Sequence, residues 1–416
     1  MRIELPYGKG LLPLDIPEGS AVDLFVPREA PPLEDPKAAL MAAMDRPMDA
    51  SPLEAVPTPA SLAIAVPDET RPVPLKLLLP PLLDRCLAAW PTLSRERIAI
   101  VIGGGLHVPA DEAQKARILP MDRLQGCRIV SHDARKGPFR DFGRTSRGTP
   151  VRINEVYGDA AYKIVLGMVD AHQFVGMTGG AKGVVVGCAS ADMITANHSM
   201  MKEPAAVAGN VATNPVRLDL DEAGERIGID MAVNVVLDAA KRPVAILAGR
   251  PAATMREAAN RTGELYGLAF ERPYDIVVVS SGGHPKDICL YQAQKGLNPA
   301  LQCSAPGGRI LLVAECSQGI GDDVYHDYVR GFSDAAALME AFKAGPFRMG
   351  EHKAYLFART TTTRSVVLHT ALKAEELASC LLVGGDAQTT LDGWLGENPQ
   401  ARIAVIRNGN SSFFRA

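Results

Sequence analysis

Runs of β-branched and aliphatic residues alternate along the chain with segments whose apolar positions recur every three or four residues. SLAIAV (61–66), RIAIVIG (97–103), CRIVSH (127–132) and KIVLGMV (163–169) are continuous apolar runs of strand length. Such runs, buried on both faces, are the mark of parallel strands covered by helices. Between them KLLLPPLLDRCLAAW (76–90), despite Pro80 and Pro81, and DEAQKARIL (111–119) carry helical spacing. NVVLD (234–238) and PVAILAG (243–249) face each other across a short turn as a hairpin, and AATMREAANRTGELYG (252–267) is one helix. A second alternation follows, with strands expected at 275–280, 308–314, 354–358, 365–369 and 380–385 and helices at 287–295, 333–343, 371–378 and 388–395.

The pattern predicts an α/β protein of two domains with mainly parallel sheets, joined by a helical connector, with the active site in the cleft between them. The first domain is expected over 1–265 and the second over 272–400. The last strand, RIAVIRNG (402–409), could close either sheet.

Length supports the division, since 416 residues exceed one typical domain. A net charge of −3 gives no basic footprint for nucleic acid and no polybasic membrane patch. Seven cysteines, an odd number without C-x-x-C, suit free thiols in a reducing cytoplasm rather than a zinc ribbon or a disulfide scaffold. MRIELPYGKG lacks the apolar centre of a signal peptide, and no apolar run approaches the length of a membrane span.

Candidate chemistry sits where strands end. VPDETRPVP (66–74) places Asp68, Thr70 and Arg71 there; the arginine is a carboxylate clamp or a solvated side chain beside a helix cap. VIGGGLHVP (101–109) carries His107 past a glycine turn and matches no named nucleotide motif. DAHQFVGMTGGAKG (170–183) places His172 at the next strand end and Lys182 after Gly179 and Gly180. Two histidines at matching strand ends point to acid–base chemistry, although each alone is as readily structural. His198, in a helix among Met193, Met200 and Met201, is a packed core histidine or a single metal ligand. In SSGGHPKDICLYQAQKG (280–296), Asp287 looks like a helix N-cap, and Gln292 and Lys295 share one helix face.

In order and spacing these motifs, with LPYGKG, ANHS, NPVR and NVVLD, resemble the lactate racemase family over nearly the whole chain. The resemblance implies a racemase or epimerase of a 2-hydroxy acid that works by reversible hydride transfer to a nickel-pincer nucleotide. It also implies dependence on the enzymes that make that cofactor. By match of position, His107 and His172 would be the acid–base pair and Arg71 the substrate carboxylate's partner, with Gln292 and Lys295 as further substrate contacts. Lys182 would tether the cofactor, Asp68, Thr70, Gly179 and Gly180 would lie against it, and His198 would ligate nickel. The family's pattern also returns the extreme C-terminal strand (401–416) to the first domain. Val108 stands where lactate-specific members carry arginine, and His284 and Cys289 occupy positions that vary with substrate. These departures widen the expected substrate to a larger or differently charged 2-hydroxy acid or a sugar acid. The competing reading is a nucleotide- or small-molecule-binding protein without turnover.

Overall fold

The computed structural model describes residues 1–414. The chain divides into two compact units, residues 29–265 and residues 1–28 together with those from 266 onward.

In the unit 29–265, six strands form one sheet: β1 (Leu62–Pro67), β2 (Ile98–Gly103), β3 (Arg128–Ser131), β4 (Tyr162–Met168), β5 (Met231–Leu237) and β6 (Pro243–Gly249). Their order is β6-β5-β4-β1-β2-β3, parallel except for the antiparallel β5–β6 hairpin. β1 is central, with β2 and β3 added on one side and β4 to β6 on the other. The sheet therefore changes winding direction between β1 and β4, and α/β proteins bind ligands beyond the carboxyl ends at such a point. Ile64, Ile100 and Ile164 form the core with Leu78, Leu79, Leu82 and Leu83 of helix Leu75–Ala89. Pro80 and Pro81 leave the carbonyls of Lys76 and Leu77 without helical donors, and both residues are exposed. The helix therefore continues through both prolines.

In the other unit all six strands are parallel, ordered Val383–Gly384, Ser365–His369, Ser304–Val313, Tyr274–Ser280, Arg402–Ile406, Ala21–Phe25. Two expectations are corrected here. Residues 1–28 do not fold with 29–265, because their strand Ala21–Phe25 pairs with Arg402–Ile406 and their hairpin, Arg2–Tyr7 with Gly10–Asp15, buries Leu5 and Leu14 against Val278 and Leu311. The C-terminal strand does not return to the first domain either. Its residues Ile403 to Ile406 are wholly buried, which suits an interior position between Tyr274–Ser280 and Ala21–Phe25. The last two residues of that expected 401–416 segment lie outside the described residues.

Three local expectations also change. AYLFA (354–358) is not a strand but the middle of helix Glu351–Thr361, in which His352 to Ala358 are all buried, so an apolar run of strand length lies within a helix. CLLVGG (380–385) contributes only Val383–Gly384 to the sheet. Asp287 is not an N-cap; it is buried, and its Oδ2 accepts from the backbone N–H groups of Gly8 (2.7 Å) and Glu315 (3.2 Å), joining three loops. Among the described residues no helix is long and apolar enough to cross a membrane, and all seven cysteines are free.

Candidate active site

The carboxyl ends of β1 and β2 bring Asp68 and His107 together. Asp68 Oδ2 lies 2.7 Å from His107 Nδ1, while Oδ1 accepts the hydroxyl (2.6 Å) and backbone N–H (3.2 Å) of Thr70. Burial pushes the Asp68 carboxyl up, but the hydrogen bonds from His107 and Thr70 outweigh it and hold the group below its ordinary value. An ionised Asp68 only accepts, so the proton of neutral His107 sits on Nδ1 and the lone pair on Nε2. The glycine run fixes this loop. Gly105, at φ +59°, donates to Gly187 O (2.9 Å), and a Cβ at Gly104 would stand 3.2 Å from Asp68 Oδ2.

Beyond β4, Ala171–His172 pairs with Gly176–Met177 in a tight hairpin. Here the N–H of Val175 donates to His172 Nδ1 at 3.3 Å. Neutral His172 thus carries its proton on Nε2, the opposite tautomer to His107. The ring of Phe174 stands edge-to-face with His172 (centroids 4.7 Å) and with His198 (5.1 Å), joining the two histidines.

Lys182 begins the short helix Lys182–Val185 after Gly179 (φ +84°) and Gly180 (φ +56°). A Cβ at Gly179 would stand 3.0 Å from Asn234 Oδ1, and one at Gly180 would stand 2.8 Å from Arg217 Nη2. Contacts within the protein account for both glycines, which shape the turn that aims Lys182. Burial, then the charges of Arg71 and Arg217, lower the Lys182 ammonium from 10.5 to about 7. Burial, then the charge of Lys182, lowers His198 to about 3. Lys182 is therefore the electrostatic neighbour of both Arg71 and His198, and His198 is neutral across the physiological range.

Asn197 sets the tautomer of His198. Its Nδ2 donates to Val216 O (3.0 Å) and Asp219 Oδ2 (2.8 Å), so Oδ1 is the atom 3.1 Å from His198 Nδ1. Nδ1 donates and Nε2 carries the lone pair, as in a metal-ligating imidazole held by an outer partner. Arg217, fully buried, donates to both carboxylate oxygens of Asp221 and to Gly179 O (3.2 Å). Asn234 accepts from the Gly180 N–H at 3.1 Å and donates to Thr254. Asn197, Asp219, Arg217 and Asn234 escape a reading of the sequence for reactive groups. Asn197, Arg217 and Asn234 do fall in the ANHS, NPVR and NVVLD stretches, but nothing in those stretches tells which neighbours they position.

The structure thus gathers His107 with Asp68 and Thr70, His172 with His198 through Phe174, and Lys182 with Arg71 and with His198, all within the unit 29–265. Gln292 and Lys295 lie in the other unit, where Lys295 Nζ donates to Gln292 Oε1 at 2.8 Å. Among the described residues no three His, Cys, Asp or Glu side chains converge to hold a metal ion.

Comparison with known proteins gives a consistent result. Residues 7–209 match the lactate racemase N-terminal domain and residues 270–412 the lactate racemase C-terminal domain. The chain is 26% identical over 428 residues to lactate racemase of Thermoanaerobacterium thermosaccharolyticum, covering 100% of this chain and 99% of the relative. It is 28% identical over 427 residues to that of Lactiplantibacillus plantarum, covering 98% of each. The structure of the T. thermosaccharolyticum lactate racemase apoprotein superposes with a TM-score of 0.90 at 25% identity over all of both chains. A Thermotoga maritima protein, with a TM-score of 0.62 at 16% identity over 94% of this chain and 99% of its own, shares the fold.

Proposed function

The chain belongs to the lactate racemase family, and from that premise we propose that it interconverts the two C2 configurations of a 2-hydroxy acid. Racemase, an isomerase, is the enzyme class that membership supports. The observation that carries the proposal is the pair of histidines held in opposite tautomers: His107 presents an acceptor at Nε2, and His172 a donor.

A racemase needs such a pair. One group takes the hydroxyl proton of the incoming enantiomer, and the other returns a proton to the oxygen of the outgoing one. Asp68 stabilises the imidazolium that forms on His107, through the 2.7 Å contact. Arg71 is proposed to bind the carboxylate, and Gln292 and Lys295 to supply a further amide and ammonium to the substrate.

The residues present fit the nickel-pincer nucleotide that the sequence resemblance implies. His198 offers a neutral imidazole with the Nε2 lone pair, the form a metal requires. Lys182 offers a buried amine whose neutral form is populated near pH 7, the nucleophilic form that a tether to an acyl or thioacyl carbon of the bound group would require. When bound, the group supplies a hydride acceptor for C2, a task no side chain performs. Phe174 packs edge-to-face against both His172 and His198.

The test is to co-produce the protein with the cofactor's biosynthetic enzymes and follow single enantiomers by chiral chromatography. Intact mass and nickel content are measured beside Lys182→Ala. The proposal expects about one nickel per chain, a mirror enantiomer, and its loss in His107→Ala and His172→Ala. Loaded protein that turns over no 2-hydroxy acid in a broad panel, or whose binding alone survives both histidine changes, sinks it.

A further inference from the structure

We propose that Asp219 is a positioning residue of the site: through Asn197 it fixes which nitrogen of His198 is open to a metal, and the hairpin tip Thr145–Thr149 holds it in place. This rests on the racemase reading above, in which His198 is the metal's ligand.

Asp219 lies on the buried face of helix Pro215–Ile227 and is only 1% exposed. A carboxylate so placed needs its lone pairs filled. Three neutral side chains fill them. Oδ1 accepts from Thr145 Oγ1 (2.5 Å), and Oδ2 accepts from Thr149 Oγ1 (2.9 Å) and Asn197 Nδ2 (2.8 Å). Thr145 Oγ1 itself accepts the N–H of Thr149 at 3.1 Å, which leaves its own proton for Asp219. The two threonines close the turn between the antiparallel strands Phe139–Arg144 and Pro150–Asn154, where the N–H of Thr145 donates to Thr149 O at 2.9 Å. An apolar side chain at 219 would avoid the cost of burying a charge. The carboxylate is therefore kept for what it holds.

What it holds is Asn197. The NH2 group of that amide has two N–H donors, and both are used, one on Val216 O (3.0 Å) and one on Asp219 Oδ2 (2.8 Å). Turned over, the amide would set its oxygen against two acceptors. Asn197 Oδ1 is thus kept toward His198 Nδ1 at 3.1 Å, the ring proton stays on Nδ1, and Nε2 is the open nitrogen. Without Asp219 the reversed amide would forfeit only the Val216 bond. Its NH2 would then face Nδ1, drive the ring proton to Nε2 and close the imidazole to a metal.

The same helix serves two other segments of the site. At its N-cap Asn214, fully buried, donates to Phe174 O at 3.0 Å, and in its first turn Arg217 donates to Gly179 O at 3.2 Å. Asn214, Arg217 and Asp219 thus reach the segments that carry His172, Lys182 and His198 in turn. The hairpin tip grips the helix once more at Glu222, whose carboxylate accepts the N–H (2.7 Å) and the hydroxyl (2.6 Å) of Ser146.

The experiment has two readouts. Nitrogen NMR of the labelled imidazole rings locates the His198 proton in the cofactor-free full-length protein, with His198→Gln to assign the signal. Nickel loss to a chelator is followed in the loaded protein. The parent should carry the proton on Nδ1. In Asp219→Leu the Nε2–H form should be at least tenfold more populated, and nickel should leave at least tenfold faster. Asp219→Asn, which keeps an acceptor oxygen for Asn197, should restore most of both. If Asp219→Leu does not fold, the triple variant Thr145→Val/Thr149→Val/Asp219→Leu, which strands no hydroxyl group, carries the same expectation. Ser146→Ala loosens the same tip without touching Asp219 and should leave both readouts at the parent value. Readouts unmoved in the variants that carry Asp219→Leu, or moved equally in Ser146→Ala, overturn the proposal. Turnover of a 2-hydroxy acid with unmoved readouts leaves the racemase standing without this role for Asp219. Readouts that respond, in a loaded protein that turns over no acid, uphold Asp219 and sink the racemase.

Discussion

Asp68→Asn tests the tautomer logic with almost no change of shape. Thr70 donates twice to Asp68 Oδ1, so in the variant the amide oxygen takes that position and the NH2 group takes the place of Oδ2. That NH2 then faces His107 Nδ1 at the former 2.7 Å. It can only donate, which drives the imidazole proton to Nε2 and turns the proposed acceptor into a donor. The charge-assisted hydrogen bond lost is worth about 1.5–3 kcal/mol, or roughly tenfold to a hundredfold in rate at about 1.4 kcal/mol per factor of ten. The wrong tautomer adds to this. Racemisation has an equilibrium constant of unity, so kcat/KM must fall alike from either enantiomer. The assay is chiral chromatography of the loaded variant at matched nickel content, beside chemical denaturation. A drop of at least tenfold in both directions is expected, with a stability loss no larger than about 3 kcal/mol, the worth of the hydrogen bond removed, so that the variant remains folded under assay conditions. Activity above half the parent value, or a loss confined to stability, would refute the reasoning.

Three further outcomes follow from the same geometry. Gly180→Ala places a methyl group in a left-handed backbone conformation against the fixed Arg217 guanidinium, and should cost about 2 kcal/mol or more by denaturant titration; a cost under about 0.5 kcal/mol would show that the turn yields. Lys182→Met should stabilise the cofactor-free protein. The parent lysine, lowered to about 7 from 10.5, carries its full penalty below pH 7 and sheds it as pH rises toward 10.5. The gain should therefore be about 3 kcal/mol at pH 8 and about 1 kcal/mol at pH 9.5, and a gain independent of pH would contradict the burial argument. Asn197→Leu removes the acceptor that orients His198 Nδ1, and nickel retention during dialysis against a chelator should weaken by about tenfold or more; unchanged retention would dismiss Asn197 as a support.

Much of the architecture was legible because parallel strands are continuous apolar runs: LAIAVP and IAIVIG lie almost wholly inside and announce themselves. The errors have two causes. AYLFA has strand length and composition, yet it lies inside helix Glu351–Thr361, where His352 to Ala358 are all buried. The N-terminal hairpin and Ala21–Phe25 are distant in sequence from their partners near 276, 311 and 403, and local pattern holds no information on such pairing. Among site residues, the reactive types at strand ends could be picked out, since chemistry requires His107, His172 and Lys182 to be what they are. Their positioning groups could not. Asn234 and Arg217 acquire meaning only when the chain brings them beneath the Gly179–Gly180 turn, and Asp219 only when its helix meets the hairpin tip at Thr145 and Thr149.

The most direct measurement is the fate of hydrogen at C2. Loaded protein is incubated in D2O with single enantiomers from a panel of 2-hydroxy acids, and the products are resolved by chiral chromatography with mass detection. The mirror enantiomer retaining its original C2 hydrogen is the result the account predicts, because His107 and His172 exchange only the hydroxyl proton. Deuterium incorporated at C2 in step with inversion, or no mirror enantiomer from any acid, would contradict it.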